Sequence, residues 1–241
     1  MPRFFVENIE GELLTITGDD ARHIGRSLRM RPGEELTLCD TCGTDCLCVV
    51  ETVSDSAVTV RVTERRPSDT EPSVEVTLYQ GYPKGDKLET VIEKAVELGV
   101  SRIVPVLTER SVARPDDKSA ARKLERWQRR ALEAAKQCGR GRIPQVEPMI
   151  AFSALPERMK AHDTALFCYE LGGKPLTEAL CDADGDIGIF IGPEGGIAHG
   201  ESQALLDSGV TPVTLGKRIL RTETAPLAAL TAVMLLTGNM E

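Results

Sequence analysis

The sequence predicts an α/β protein in two parts: a small β-barrel-like module over residues 1–70, then a larger domain over residues 73–241 built on a mostly parallel sheet. Three observations carry this. Up to Thr63 the chain reads as short apolar strands broken by turn residues. The segment Glu64–Pro72 is polar and contains Pro67 and Pro72, the composition of a linker. After Ser73, strand and helix patterns alternate five times, as in a parallel sheet covered on both faces.

The first strands fall at Arg3–Val6, Leu13–Thr17, Glu35–Cys39, Cys46–Val53 and Ala57–Val62, with turns at Arg31-Pro32-Gly33 and Thr41–Asp45. A helical piece over Gly18–Leu28 carries Asp19 and Asp20 in its first turn, where carboxylates favour the helix dipole. In the larger part, Val74–Tyr79 is a strand. A helix capped by Asp86 follows, with Leu88, Val91, Ile92, Ala95 and Val96 in one stripe, and Gly99 ends it. Arg102–Leu107 is the next strand. The helix Asp117–Cys138 turns Leu124, Trp127, Ala131, Ala135 and Cys138 inward. Thr164–Cys168, Asp186–Ile191 and Pro212–Leu215 are further strands. The last helix, Thr224–Gly238, is apolar on most sides and must be buried in the domain or against another chain.

Composition sets outer limits. Apolar residues make up 41% and charged residues 27%, which excludes disordered and fibrous classes. A net charge of −8 excludes a uniformly basic nucleic-acid binder and leaves a local basic face open. Ala225–Leu236 falls well short of the roughly 20 apolar residues that span a bilayer. The N-terminus turns acidic at once and has no apolar signal core, so a cytoplasmic protein is expected. Seven cysteines, an odd number, fit a reducing compartment. Cys39 and Cys42 have ligand-like spacing, but Cys46 and Cys48 share one strand face. Small core residues around a hairpin therefore fit better than zinc, and no metal is expected.

Ligands of open α/β sheets sit at the carboxyl ends of strands. Neither a G-x-G-x-x-G dinucleotide motif nor a P-loop occurs there. A glycine-rich turn, Gly192-Pro193-Glu194-Gly195-Gly196, follows the fourth strand; it is either a tight connection or a loop whose backbone approaches a ligand. A long loop, Leu215–Ala225, follows the fifth strand, with Arg221, Thr222, Glu223 and Thr224 leading into the last helix. Thr222 or Thr224 could cap that helix. Ile219 and Leu220 are expected to line a pocket or pack inward.

These two loops together resemble the ribosomal RNA small subunit methyltransferase E family, uracil-N3 methyltransferases of the SPOUT class. The likeness continues in His23–Met30, Pro32-Gly33, Lys84–Glu89, Glu93–Val100 and Gln137–Arg140. Lys136 stands where the pattern leads one to expect glutamate, and Ile197 where it leads one to expect an aromatic residue. The resemblance implies a C-terminal SPOUT domain with a trefoil knot, preceded by a PUA-like β-barrel domain. It also implies a homodimer with its cofactor pocket near the subunit interface.

The implied reaction is displacement at the sulfonium methyl of S-adenosyl-L-methionine by N3 of one uridine in 16S ribosomal RNA of the small subunit. Ile191, Gly192, Pro193, Glu194, Gly196, Leu215, Gly216, Ile219, Leu220, Thr222 and Ala225 are the implied cofactor-binding residues. N3 carries a proton at neutral pH, so it needs an acceptor or a stabilised anion. Arg221 is the first candidate for stabilising charge on the uracil oxygens, and could equally hold the cofactor carboxylate or an RNA phosphate. Glu223 is the candidate proton acceptor, Glu194 a less favoured one; Glu223 could instead serve the helix dipole. Cys138, in a matching block, is expected as a buried neighbour of the site.

Residues 110–142 carry eleven basic and four acidic side chains, a positive run on an acidic body that suits phosphate. It could also be the solvated face of one helix. Arg22, Arg26, Arg29 and Arg31 form a second cluster in the first module. Arg22, Arg26, Arg29, Lys84 and Arg140 are the candidate RNA contacts. Two alternatives remain at this level: a related knotted methyltransferase acting on a ribose oxygen or transfer RNA, and a non-catalytic RNA-binding protein with a dead pocket.

Overall fold

A computed structural model describes residues 1–7, 9–54, 56–181 and 183–240. The chain divides into two compact units, Met1–Glu71 with Ala135–Ile143, and Pro72–Ala134 with Pro144–Glu241.

The first unit contains β1 (Arg3–Phe5), β2 (Leu13–Thr17), α1 (Gly18–Arg22), β3 (Glu35–Cys39), β4 (Thr44–Val53) and β5 (Ala57–Pro67). They form a five-stranded sheet in the order β1-β3-β4-β5-β2, antiparallel except for the β1–β3 pair. The two-residue period of β2 sends Leu14 and Ile16 inward and leaves Leu13, Thr15 and Thr17 exposed. Leu36, Leu38, Cys46, Cys48, Val58 and Val60 complete the core with Ile24, which lies in the π-helical turn His23–Ser27 that prolongs α1. The thiols of Cys46 and Cys48 are thus core groups, and burial raises both pKa values. Cys42 is exposed.

Two expectations are corrected here. The polar stretch Glu64–Pro67 is not linker but the end of β5, paired with Thr44–Leu47 of β4. Past Arg61, β5 has no pairing with β2, so its polar side chains face solvent while the backbone stays paired. The second correction concerns residues 135–143, which the sequence assigned to the larger domain. Glu71 accepts hydrogen bonds from Arg140 Nη2 at 2.7 Å and from the Gly141 N–H at 2.7 Å. Cys39 Sγ donates to the Gly141 carbonyl at 2.9 Å, and Lys136 Nζ pairs with Asp20 at 2.7 Å. These bonds place the segment with the first unit.

The second unit contains β6 (Glu75–Gly81), α2 (Lys87–Glu97), β7 (Arg102–Leu107), α3 (Asp117–Cys138, its last turn in the first unit), β8 (Gln145–Val146), β9 (Ile150–Ala151), α4 (Leu155–Met159), β10 (Thr164–Cys168), β11 (Lys174–Pro175), α5 (Leu176–Ala179), β12 (Asp186–Ile191), α6 (His199–Asp207), β13 (Thr211–Thr214) and α7 (Ala225–Leu236). Its sheet runs β11-β13-β10-β12-β6-β7-β8, with β9 also on β7, and every pair is parallel. The central strands are almost continuous apolar runs, as strands covered on both faces must be. Phe167, Phe190, Val104, Leu155 and Met159 pack in its core with Ile197.

The stripe foreseen on α2 is fully buried, each of its larger side chains contributing about 1.5–3 kcal/mol. Asp86 occupies the N-cap position without capping; its carboxylate lies 3.4 Å from Arg126. Helix α7 packs against α2 and α5, burying Ala229, Leu230, Val233 and Met234 and leaving Leu235 and Leu236 exposed. Because all strands are parallel, the ends of β10, β12 and β13 emerge on one edge of the sheet, where their loops meet.

Candidate active site

A cleft of about 440 Å³ opens at that edge. Its walls are the end of β10 (Cys168, Tyr169, Glu170), the turn after β12 (Ile191–Gly196), the loop after β13 (Thr214–Glu223, with Ala225) and Lys87 at the start of α2. The glycine turn is built by close approach. A Cβ on Gly81, the last residue of β6, would stand 2.5 Å from the Pro193 nitrogen. Gly196 has φ +71°, a conformation that side chains disfavour.

One buried hydroxyl ties the two loops together. Thr222 Oγ1 donates to the Gly192 carbonyl at 2.9 Å and accepts from Gln80 Nε2 at 3.1 Å. This settles the choice left open between Thr222 and Thr224. Thr222 clamps the loops, and Thr224 occupies the N-cap of α7 without a side-chain capping bond.

The profile of the RNA methyltransferase domain family matches residues 70–234, and that of the RNA methyltransferase PUA domain matches residues 16–63. The chain is 36% identical to ribosomal RNA small subunit methyltransferase E of Bacillus subtilis, over 97% of this chain and 96% of that one. The chain belongs to the ribosomal RNA small subunit methyltransferase E family. The protein of the same name from Mycobacterium bovis is 34% identical over 99% of this chain and 93% of its own. Among solved structures, ribosomal RNA small subunit methyltransferase E from Neisseria gonorrhoeae bound to S-adenosyl methionine superposes with a TM-score of 0.88 at 34% identity, covering 98% of each chain. A methyltransferase from Legionella pneumophila in complex with the same cofactor gives 0.86 at 30%, covering 97% of this chain and 96% of that one.

In this family member every residue assigned from sequence to catalysis or cofactor binding lines the one cleft, from Ile191 to Gly196 and from Leu215 to Ala225. Ile219 takes the first of its two expected roles: it lines the cleft, at 84% exposure, and does not pack inward. Ile197 supports the turn from the core instead of facing the cleft.

The site is electrostatically ordered. Lys87 Nζ lies 2.9 Å from Glu194 Oε1 and 3.3 Å from Glu223 Oε2. Burial pushes the Glu194 carboxyl up, but the Lys87 bond and backbone N–H donors outweigh it and hold its pKa below the usual range. Lys87 is held above its ordinary value, chiefly by its bond to Glu194. Burial alone drives Cys168 up to about 12, so that thiol stays protonated and unreactive at neutral pH.

Of the RNA candidates, Arg22, Arg26, Arg29 and Lys84 have exposed side chains. Arg22 is paired with Asp19. Arg140 is not available: it is 4% exposed and locked on Glu71. Cys138 is half-buried in the last turn of α3, within the first unit, and does not line the cleft. The basic run is also less free than its count suggested. Arg126 pairs with Glu89, Arg130 with Glu93 and Glu133, and Lys136 with Asp20. Lys118, Arg122 and Arg129 are exposed.

Sequence reasoning missed Lys87 and the Cys168–Glu170 wall. The wall carried a usable signal, since the strand Thr164–Cys168 was recognised and residues just past a parallel strand are ligand positions.

Proposed function

We propose that this chain transfers a methyl group from S-adenosyl-L-methionine to N3 of one uridine of 16S ribosomal RNA in the small subunit. The observation that carries the reading is the convergence of the glycine turn, the Arg221–Glu223 stretch and Lys87 on a single nucleoside-sized cleft. Its walls suit the cofactor: apolar faces at Ile191, Leu215 and Leu220, flexible-backbone glycines, and the carboxylates Glu170, Glu194 and Glu223 near a cationic ligand. Ile191–Gly196 and Leu215–Ala225 would hold it. When bound, it supplies an electrophilic methyl carbon whose carbon–sulfur pair leaves with a neutral thioether, so orientation supplies much of the acceleration.

Glu223 accepts the N3 proton and Arg221 stabilises charge spread onto the uracil oxygens. Glu223 is favoured over Glu194 because Glu194 Oε1 already accepts the Lys84 N–H and the Lys87 ammonium. Arg22, Arg26, Arg29 and Lys84 contact the RNA backbone. The bond from Thr222 to Gly192 supports the knotted arrangement of the two loops that the family resemblance implies. Exposed Leu235 and Leu236 on α7 support a homodimer, since apolar side chains at the end of a buried helix favour a partner copy. Among the described residues no helix is long and apolar enough to cross a membrane, in keeping with action on ribosomal RNA in the cytoplasm.

Mass spectrometry of small-subunit RNA from a strain lacking the gene tests the proposal. One 3-methyluridine should disappear, returning with the wild-type gene and not with Arg221→Ala. An unchanged nucleoside profile would refute it.

A further inference from the structure

Lys87 has no part in the reaction as described so far, yet it sits where a lysine is costly. As the first residue of α2 it puts a positive charge at the positive end of the helix dipole. Helix stability does not account for it; its partners do. Its ammonium bridges one carboxylate from the glycine turn and one from the late loop, at 2.9 and 3.3 Å. Two carboxylates that share one small cation lie close enough that, without it, one of them would keep a proton to higher pH.

The two acids are not held alike. Glu194 Oε1 takes both the Lys87 ammonium and the Lys84 N–H. Glu223 Oε2 is shielded from solvent, and Lys87 at 3.3 Å is the cation it faces. It therefore meets the Lys87 ammonium away from water. Lys87, raised by its bond to Glu194, stays an ammonium ion and cannot itself be the acceptor.

We propose that Lys87 is a positioning residue: anchored on Glu194, it holds the Glu223 side chain in place to receive the uracil N3 proton. The inference rests on the proposed N3 methylation with Glu223 as acceptor.

The test is single-turnover methylation of small-subunit particles across pH at saturating cofactor, with wild type, Lys87→Met, Lys87→Arg and Glu223→Gln. Met and Arg both keep the helix start, and thermal melting checks the fold. Lys87→Met should move the acid limb of the rate profile up by about one pH unit, because the neighbouring carboxylates then protonate more readily. Lys87→Arg should return the limb towards wild type. A rate lowered equally at all pH values, an unmoved limb, or an arginine variant as shifted as methionine would overturn the role of Lys87 alone. Wild type that forms no 3-methyluridine, or Glu223→Gln with an unaltered profile, would overturn the functional reading, and the inference with it.

Discussion

Replacing Thr222 by valine removes one oxygen at nearly constant volume, so no cavity term enters. Two partners lose their bond: the Gly192 carbonyl, 2.9 Å away, and Gln80 Nε2, 3.1 Å away. Thr222 is 6% exposed and Gln80 0%, so water cannot readily replace the hydroxyl. Among the described residues Gln80 Oε1 lacks a hydrogen-bond partner, and the amide keeps its 3.2 Å bond to the Gly81 carbonyl. A buried group left unsatisfied costs about 1–3 kcal/mol, and since Gln80 Nε2 keeps its bond to Gly81 the substitution should cost about that much. The weakened element is the junction of the two cleft loops that we propose hold the cofactor. Cofactor affinity should therefore fall at least about tenfold, the equivalent of 1.4 kcal/mol. Titration calorimetry with S-adenosylmethionine and chemical unfolding measure the two quantities. A double cycle with Gln80→Leu sharpens the test, because residues sharing a hydrogen bond should show a coupling of about 0.5–3 kcal/mol. Affinity and stability both within twofold of wild type, or strictly additive effects, would show that the hydroxyl does not join the loops.

Two further outcomes follow from the same geometry. Arg140→Met should destabilise the protein by about 3–5 kcal/mol, since it strands the buried carboxylate of Glu71; denaturant titration reads this directly. The Glu71 pKa is lowered despite burial, which raises it, because Arg140 and backbone N–H groups outweigh that effect. Its contribution is therefore complete above the ordinary carboxylate pKa and is lost as pH falls from about 4.5 through the lower folded value, so unfolding free energy should decline over that acid range in wild type and less steeply in Arg140→Met. Alkylation of native protein near pH 8 should label Cys42 and Cys181 while sparing Cys168, whose pKa of about 12 leaves almost no thiolate. Peptide mapping that finds Cys168 modified as fast as Cys42 would contradict its raised pKa.

Much of the fold was legible because side-chain period reports which face is covered. The strands Arg102–Leu107, Thr164–Cys168 and Asp186–Ile191 and the helix Asp117–Cys138 lie where the pattern placed them. Period fails where an element's faces are solvated. Glu64–Pro67 continues β5 although its side chains read as linker, because backbone pairing to β4 does not depend on what those side chains are. Association of residues 135–143 with the first unit was hidden for another reason. It depends on a carboxylate at residue 71 meeting a guanidinium at residue 140, and spacing along the chain cannot show that pair.

The cleft divides in the same way. The two loops stood out because they follow parallel strands, where ligands sit, and the family resemblance supplied the assignment of their residues. Charge was read less well, since a sum of Arg and Lys ignores what each one faces. Arg126 and Arg130 are matched by Glu89 and Glu93 on the neighbouring helix, whereas Lys87, one unremarkable charge at a helix start, bridges two of the acids that line the cleft. The exposure of Ile219 makes the complementary point. An apolar side chain on a loop need not be buried by its own chain when it borders a site that a nucleobase or a partner surface can cover, and its 84% exposure beside Arg218 and Arg221 puts it at that border.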